Sequence, residues 1–142
     1  MRKTFVKEIM TKDVIAIRID EPFSHVEEKI RMHRIRHLPV VNDKNEIVGI
    51  ITQRDFYHVI SPRHTEMGDY YEKTELDGYH LEHFMTKNPL TLSPEDSVAK
   101  VVKIMTTFKY GAIPIVDSNK KLVGIVTQID ILKFIAREML PD

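Results

Sequence analysis

The apolar positions of this chain fall into one ordered pattern that occurs twice. Val14-Ile15-Ala16-Ile17-Arg18-Ile19 is rich in β-branched residues and predicts a strand. Asp20-Glu21-Pro22 then supplies acidic residues and an early proline for a helix N-terminus, and Phe23, Val26 and Ile30 recur at helical spacing. Two apolar runs follow, Leu38-Pro39-Val40-Val41 and Ile47-Val48-Gly49-Ile50-Ile51, separated by the turn formers Asn42-Asp43-Lys44-Asn45, which predicts a hairpin. From Gln53 to Ile60 the pattern is helical again, until Ser61-Pro62 stops it. The unit reads strand, helix, strand, strand, helix.

The same order returns downstream. Leu90-Thr91-Leu92 predicts a strand, Ser93-Pro94-Glu95-Asp96 a capping sequence, and Val98, Val101, Val102 and Met105 the buried stripe of a helix. Ile113 to Val116 and Leu122 to Val126 form a second hairpin, and Gln128 to Leu140 a last helix. The repetition extends to individual residues: VVNDKNEIVGIITQRD becomes IVDSNKKLVGIVTQID without a gap, and a shift of 75 residues also carries Met10-Thr11-Lys12 onto Met85-Thr86-Lys87 and Pro39 onto Pro114. A duplicated unit naturally forms a pseudo-twofold cleft with paired sites. The expected division is therefore repeat 1 over 1–62, a polar linker over 63–78 and repeat 2 over 79–142.

Composition narrows the class. With 42% hydrophobic and 30% charged residues in 142, the chain is long enough for a real core and ordinary for a globular protein. Its 21 basic and 21 acidic side chains cancel, so no overall field steers it to nucleic acid or anionic membranes. The absence of cysteine removes disulfides, thiolate nucleophiles and cysteine-ligated zinc together. With no signal-like start and no long apolar run, the expectation is a cytoplasmic protein without membrane insertion.

The chemistry that repeats is the close of each hairpin, Gly49-Ile50-Ile51-Thr52-Gln53-Arg54-Asp55 and Gly124-Ile125-Val126-Thr127-Gln128-Ile129-Asp130. A hydroxyl and a carboxylate stand three positions apart where a strand becomes a helix and backbone N–H groups lack partners. Two readings stay open. One is a helix cap, worth about 1 kcal/mol. The other is a ribose-phosphate grip, in which the carboxylate accepts from vicinal ribose hydroxyls while the threonine hydroxyl and the helix N-terminus meet phosphate. The glycine three residues before each threonine permits a close approach of backbone or ligand, or marks a bulge.

These pieces in order, "IMTKDV" or "FMTKNP", then "RHLPVV" or "GAIPIV", then "GIITQRD" or "GIVTQID", resemble a pair of cystathionine-β-synthase (CBS) domains, the Bateman module, in the flavour of stand-alone two-CBS and acetoin-utilisation-type regulatory proteins. The resemblance implies an α/β (α+β) fold of two β-α-β-β-α motifs packed through their sheets in a pseudo-twofold module that pairs into a homodimer. It also implies a non-catalytic regulator that binds AMP, ADP, ATP or S-adenosylmethionine in the inter-motif cleft, needs no cofactor, and passes occupancy to a partner or an unknown protein effector. By that resemblance Asp55 and Asp130 match ribose-binding aspartates, and Thr52 and Thr127 the hydroxyls near ribose or phosphate. Val14-Ile15-Ala16 and Pro89-Leu90-Thr91 match the stretches lining the adenine, which places Ile15, Ala16 and Leu90 at the base. Arg36-His37 and Gly111-Ala112 precede the second strand at another ligand-facing position.

The two copies diverge there. Arg36, His37 and Arg54 correspond to Gly111, Ala112 and Ile129, so the expectation is two sites of unequal anion affinity. Other features carry less. His80 and His83 would share a helix face, yet a metal site wants three or four convergent ligands. His33 and His37 are also four apart but should be separated by a change of element. Tyr70, Tyr71 and Tyr79 could stack on a base or anchor a loop. Ile131, Leu132, Ile135 and Met139 suit either a core or a dimer partner. No Gly-x-Ser-x-Gly, His-Glu-x-x-His or phosphate-loop motif supports an enzyme. The competing function is a protein-interaction scaffold with degenerate clefts; a nucleic-acid-associated regulator is disfavoured by the charge balance.

Overall fold

A computed structural model describes residues 3–59, 63–70 and 73–140. The chain forms two compact units that cut across the sequence repeats. One comprises Ile15–Lys44 and Val48–Asn88, the other Met1–Val14, Asn45–Ile47 and Pro89–Asp142.

The first unit contains β1 (Ile17–Arg18), α1 (Ser24–His33), β2 (His37–Val41), β3 (Ile47–Thr52, its first residue belonging to the other unit), α2 (Gln53–Val59), β4 (Arg63–Thr65), β5 (Gly68–Tyr70), α3 (Lys73–Leu76) and β6 (Thr86–Lys87). Its main sheet has the order β1-β2-β3-β6, with β1 parallel to β2 and β6 antiparallel to β3. Phe23, Val26 and Ile30, the predicted helical stripe, are buried with Ile17, Leu38, Val40, Ile51 and Phe56. Strand β1 is shorter than the apolar run suggested: its ladder pairs Ile17 with Val40 and Arg18 with Val41, and the Ile19 N–H still donates to the Val41 carbonyl at 2.8 Å.

The start of α1 differs from the sequence expectation. Phe23 occupies the N-cap without a side-chain cap, and the Ser24 N–H donates to the Asp77 carboxylate at 2.9 Å. Glu21 instead accepts from the Arg18 N–H at 2.6 Å, closing the turn before the helix. Asp77 lies in the stretch read as a linker, which here holds the β4–β5 hairpin and α3 and contributes Leu76, 2% exposed, to the core. Tyr79 packs against Phe23 and Phe84 at ring separations of 5.8 and 5.2 Å, the anchoring role. Tyr71 and the Ser61-Pro62 stop lie outside the described residues.

The second unit holds α4 (Val98–Phe108), β7 (Ala112–Val116), β8 (Leu122–Thr127) and α5 (Gln128–Met139). Leu90-Thr91-Leu92 is not a strand; it is reduced to a parallel bridge from Leu92 to Ile115, the counterpart of the Ile17–Val40 pairing. The cap of α4 is Ser97, whose hydroxyl accepts from the Lys100 N–H, while Ser93 and Asp96 close the turn ahead of it. Val98, Val101 and Met105 are buried, but Val102 is 38% exposed and leaves the predicted stripe, since it adjoins Val101 around the helix and faces outward. On α5, Ile131 and Phe134 face the core; Leu132, Ile135 and Met139 face out. Among the described residues no helix is long and apolar enough to cross a membrane.

The two repeats exchange their leading segments. The short 3-10 helix Val6–Glu8 leads Met10 to the sheet of the second repeat, and the equivalent Leu81–His83 leads Met85 to that of the first. Each sulfur lies where a Cβ would stand on the repeated glycine: Met85 against Gly49, and Met10 against Gly124 at 2.6 Å from the built position, with the Thr11 carbonyl at 3.2 Å. So the glycines serve close packing of a neighbouring segment. Gly124→Ala should destabilise the protein by about 1–3 kcal/mol, as overpacking does. In urea denaturation, pairing it with Met10→Ala should cost less than the sum of the two single changes, because the clash and its partner disappear together.

Candidate functional site

The strand-to-helix junctions carry the repeated chemistry, and both are built as reciprocal caps. At α2 the Asp55 N–H donates to the Thr52 hydroxyl at 3.0 Å and the Thr52 N–H donates to Asp55 Oδ2 at 3.2 Å. At α5 the Thr127 N–H donates to Asp130 Oδ2 at 2.8 Å and the Asp130 N–H to the Thr127 hydroxyl at 3.4 Å. The capping reading is therefore realised in each repeat, satisfying amides the helix cannot. It uses one carboxylate oxygen. Asp55 Oδ1 makes no hydrogen bond among the described residues, and Asp55 is half-buried.

Each junction is also tied to the strand beside it. The Gln53 N–H donates to the Arg36 carbonyl at 2.8 Å, and the Gln128 N–H to the Gly111 carbonyl at 3.2 Å. In the first repeat this tie fixes Arg36 and His37 next to the start of α2. A pocket of about 470 Å3 opens there, lined by Arg36, His37, Thr52, Gln53, Arg54, Tyr57 and His58. Arg36 and Arg54 are exposed, and neither guanidinium has an ion pair or hydrogen bond among the described residues. Two unpaired guanidiniums, two imidazoles and a hydroxyl form a set of donors suited to an anion.

Of the residues singled out in the sequence, the structure gathers Thr52, Arg36, His37 and Arg54 around this pocket, with Asp55 on the same turn. Ile15 and Ala16 are half-buried in the extended lead-in to β1, apart from the pocket-lining residues. Thr127, Asp130 and Leu90 belong to the other unit, where Leu90 is 38% exposed. Tyr57 and His58 were missed. Their spacing from Arg54, three and four residues, puts all three on one helix face, a signal the sequence did contain. His80 and His83 pack their rings edge to face at 5.7 Å, and among the described residues no three His, Cys, Asp or Glu side chains gather to hold a metal.

Comparison with known proteins fits this architecture. Residues 6–62 and 81–137 match the CBS domain. The chain belongs to the CBS-domain family. It is 32% identical over 135 residues to an uncharacterised protein of Methanocaldococcus jannaschii, MJ1225, covering 92% of this chain and 47% of that protein. A CBS domain-containing protein of Dictyostelium discoideum is 29% identical, with 98% of this chain and 96% of the relative covered. The chain thus spans about half of one curated relative and nearly all of the other. Among solved structures, the CBS domain pair of protein MJ0100 in complex with 5′-methylthioadenosine and S-adenosyl-L-methionine superposes with a TM-score of 0.79 at 26% identity, covering 96% of this chain and 99% of that one. The chain shares the repeated mixed α/β motif of this CBS domain pair.

His37 has a pH signature of its own. Burial holds its pKa below the ordinary 6.5, the Arg36 charge pushes the same way, and Asp55 opposes both. As pH falls through about 6.5 the unfolded chain takes up this proton before the folded one, so the stability tied to neutral His37 is whole above that pH and lost below it. The urea midpoint of the wild type should therefore drop more between pH 7.5 and 5.5 than that of His37→Gln.

Proposed function

We propose that the protein is a non-catalytic regulatory module that binds a phosphorylated adenosine compound at the first repeat and signals its occupancy to a second copy of the chain or to a protein effector. The observation that carries this reading is the pairing of Asp55, with one oxygen still open, and the pocket of Arg36, His37, Arg54 and His58. A ribose diol donates to the carboxylate, and the phosphate meets the guanidiniums. The relative solved with 5′-methylthioadenosine and S-adenosyl-L-methionine supports adenosine as the shared part of the ligand. Here the cationic lining favours AMP, ADP or ATP over S-adenosylmethionine, whose sulfonium would face like charge. The open row Leu132, Ile135 and Met139 on α5 offers a face for a partner or a second copy. It equally suits the scaffold reading, in which no ligand is held.

Thermal denaturation with increasing ATP separates the two. A sensor gains stability as RT ln(1 + [L]/Kd), whereas a scaffold with degenerate clefts shows a flat response to every adenosyl compound. By calorimetry, Arg36→Ala should weaken ATP about 10- to 100-fold, the loss of one charge-assisted contact of roughly 1.5–3 kcal/mol. The same change should weaken S-adenosylmethionine far less. Equal losses for both ligands would refute the phosphate assignment.

A further inference from the structure

Asp130 is not the open counterpart of Asp55. Its Oδ2 accepts from the Thr127 N–H at 2.8 Å and the Thr127 hydroxyl at 3.2 Å, and its Oδ1 accepts from the Thr11 hydroxyl at 3.0 Å. The residue is only 9% exposed. Thr11 is itself held in place, for its N–H donates to the Ile125 carbonyl at 2.9 Å and its carbonyl accepts from the Ile125 N–H at 3.0 Å. An alcohol donor is thus fixed on the oxygen that a ribose hydroxyl would need.

The first repeat has the same threonine in the same register. Thr86 pairs with Ile50 as Thr11 does with Ile125, yet among the described residues no hydrogen bond joins Thr86 to Asp55. What differs is the setting of the carboxylate. Asp55 stands on the same turn as Arg54, which lines the first-repeat pocket together with Arg36 and the half-buried His37. Asp130 has Ala112, Gly111 and Ile129 at those positions, so the second junction lacks the cationic side chains of the first.

We propose that Thr11 is a built-in competitor for the ribose at Asp130, so that each chain holds a single nucleotide, at Asp55. This rests on the ribose-grip reading above. A hydroxyl already seated on the carboxylate is replaced by the incoming diol with little net gain in hydrogen bonding, and the second repeat lacks the guanidiniums that would add phosphate contacts. Thr11 therefore sets the number of occupied sites without touching the ligand of the first repeat.

Calorimetric titration with ATP of the wild type, Thr11→Val, Thr11→Ser, Asp55→Ala and Thr11→Val/Asp130→Asn provides the test, with urea denaturation to verify folding. The expected result is one ATP per wild-type chain, lost in Asp55→Ala, and a second, weaker site in Thr11→Val that disappears when Asp130→Asn is added. Thr11→Ser keeps the hydroxyl and should stay at one. Two sites in the wild type, or a single site persisting in folded Thr11→Val, would overturn the competitor role while leaving the ribose grip intact. Binding that survives Asp55→Ala unchanged would instead overturn the grip and the proposal with it.

Discussion

A β-strand that runs straight into an α-helix leaves the amides of the first turn without acceptors, and this chain answers that deficit twice with threonine and aspartate three residues apart. The answer has a geometric consequence. A carboxylate that accepts the threonine N–H through one oxygen is locked in orientation, and its other oxygen is left facing away from the cap. The capping geometry thus presets the direction in which the second oxygen points. Loss of Asp55 or Thr52 would remove the cap itself, whereas the Arg36 and Arg54 side chains take no part in it.

The repeated framework was legible because hydrophobic period and turn chemistry agree: Phe23, Val26 and Ile30 on one helix, the Asn42 to Asn45 turn, and the glycine-led close of each hairpin. What the sequence could not assign is which leading segment serves which sheet. Met10 and Met85 sit in nearly identical phrases, and Gly49 and Gly124 offer identical space, so self-similarity makes the exchanged and unexchanged arrangements equal in pattern. Distance along the chain hid the rest. Asp77 caps α1 from 53 residues away, and Thr11 reaches Asp130 across 119, neither with any local signature. Val102 was misplaced for a smaller reason: a stripe counted in apolar letters was one position wider than the face the core accepts.

The candidate site was half legible. Thr52 and Asp55 announce themselves by repetition, and Arg36, His37 and Arg54 by their failure to repeat. Tyr57 and His58 were obscured because helix α2 was read for its end and not for its faces. Divergence proved as informative as likeness. Positions shared between the copies build the junction, while those that differ set the charge beside it.

That division suggests how a duplicated unit acquires distinct roles with few substitutions. Replacing three side chains, Arg36, His37 and Arg54, by Gly111, Ala112 and Ile129 removes the positive potential at the second junction without altering its backbone ties, since the Gln53–Arg36 and Gln128–Gly111 hydrogen bonds are both made by main-chain groups. The carboxylate then keeps its structural duty, and a threonine already in register takes its spare oxygen. The second junction keeps its cap, because the hydrogen bonds that stabilise the start of α5 do not depend on the charges by which the repeats differ. Asymmetry of charge is thus compatible with near-symmetry of fold, and it resides in the side chains that line the first-repeat pocket.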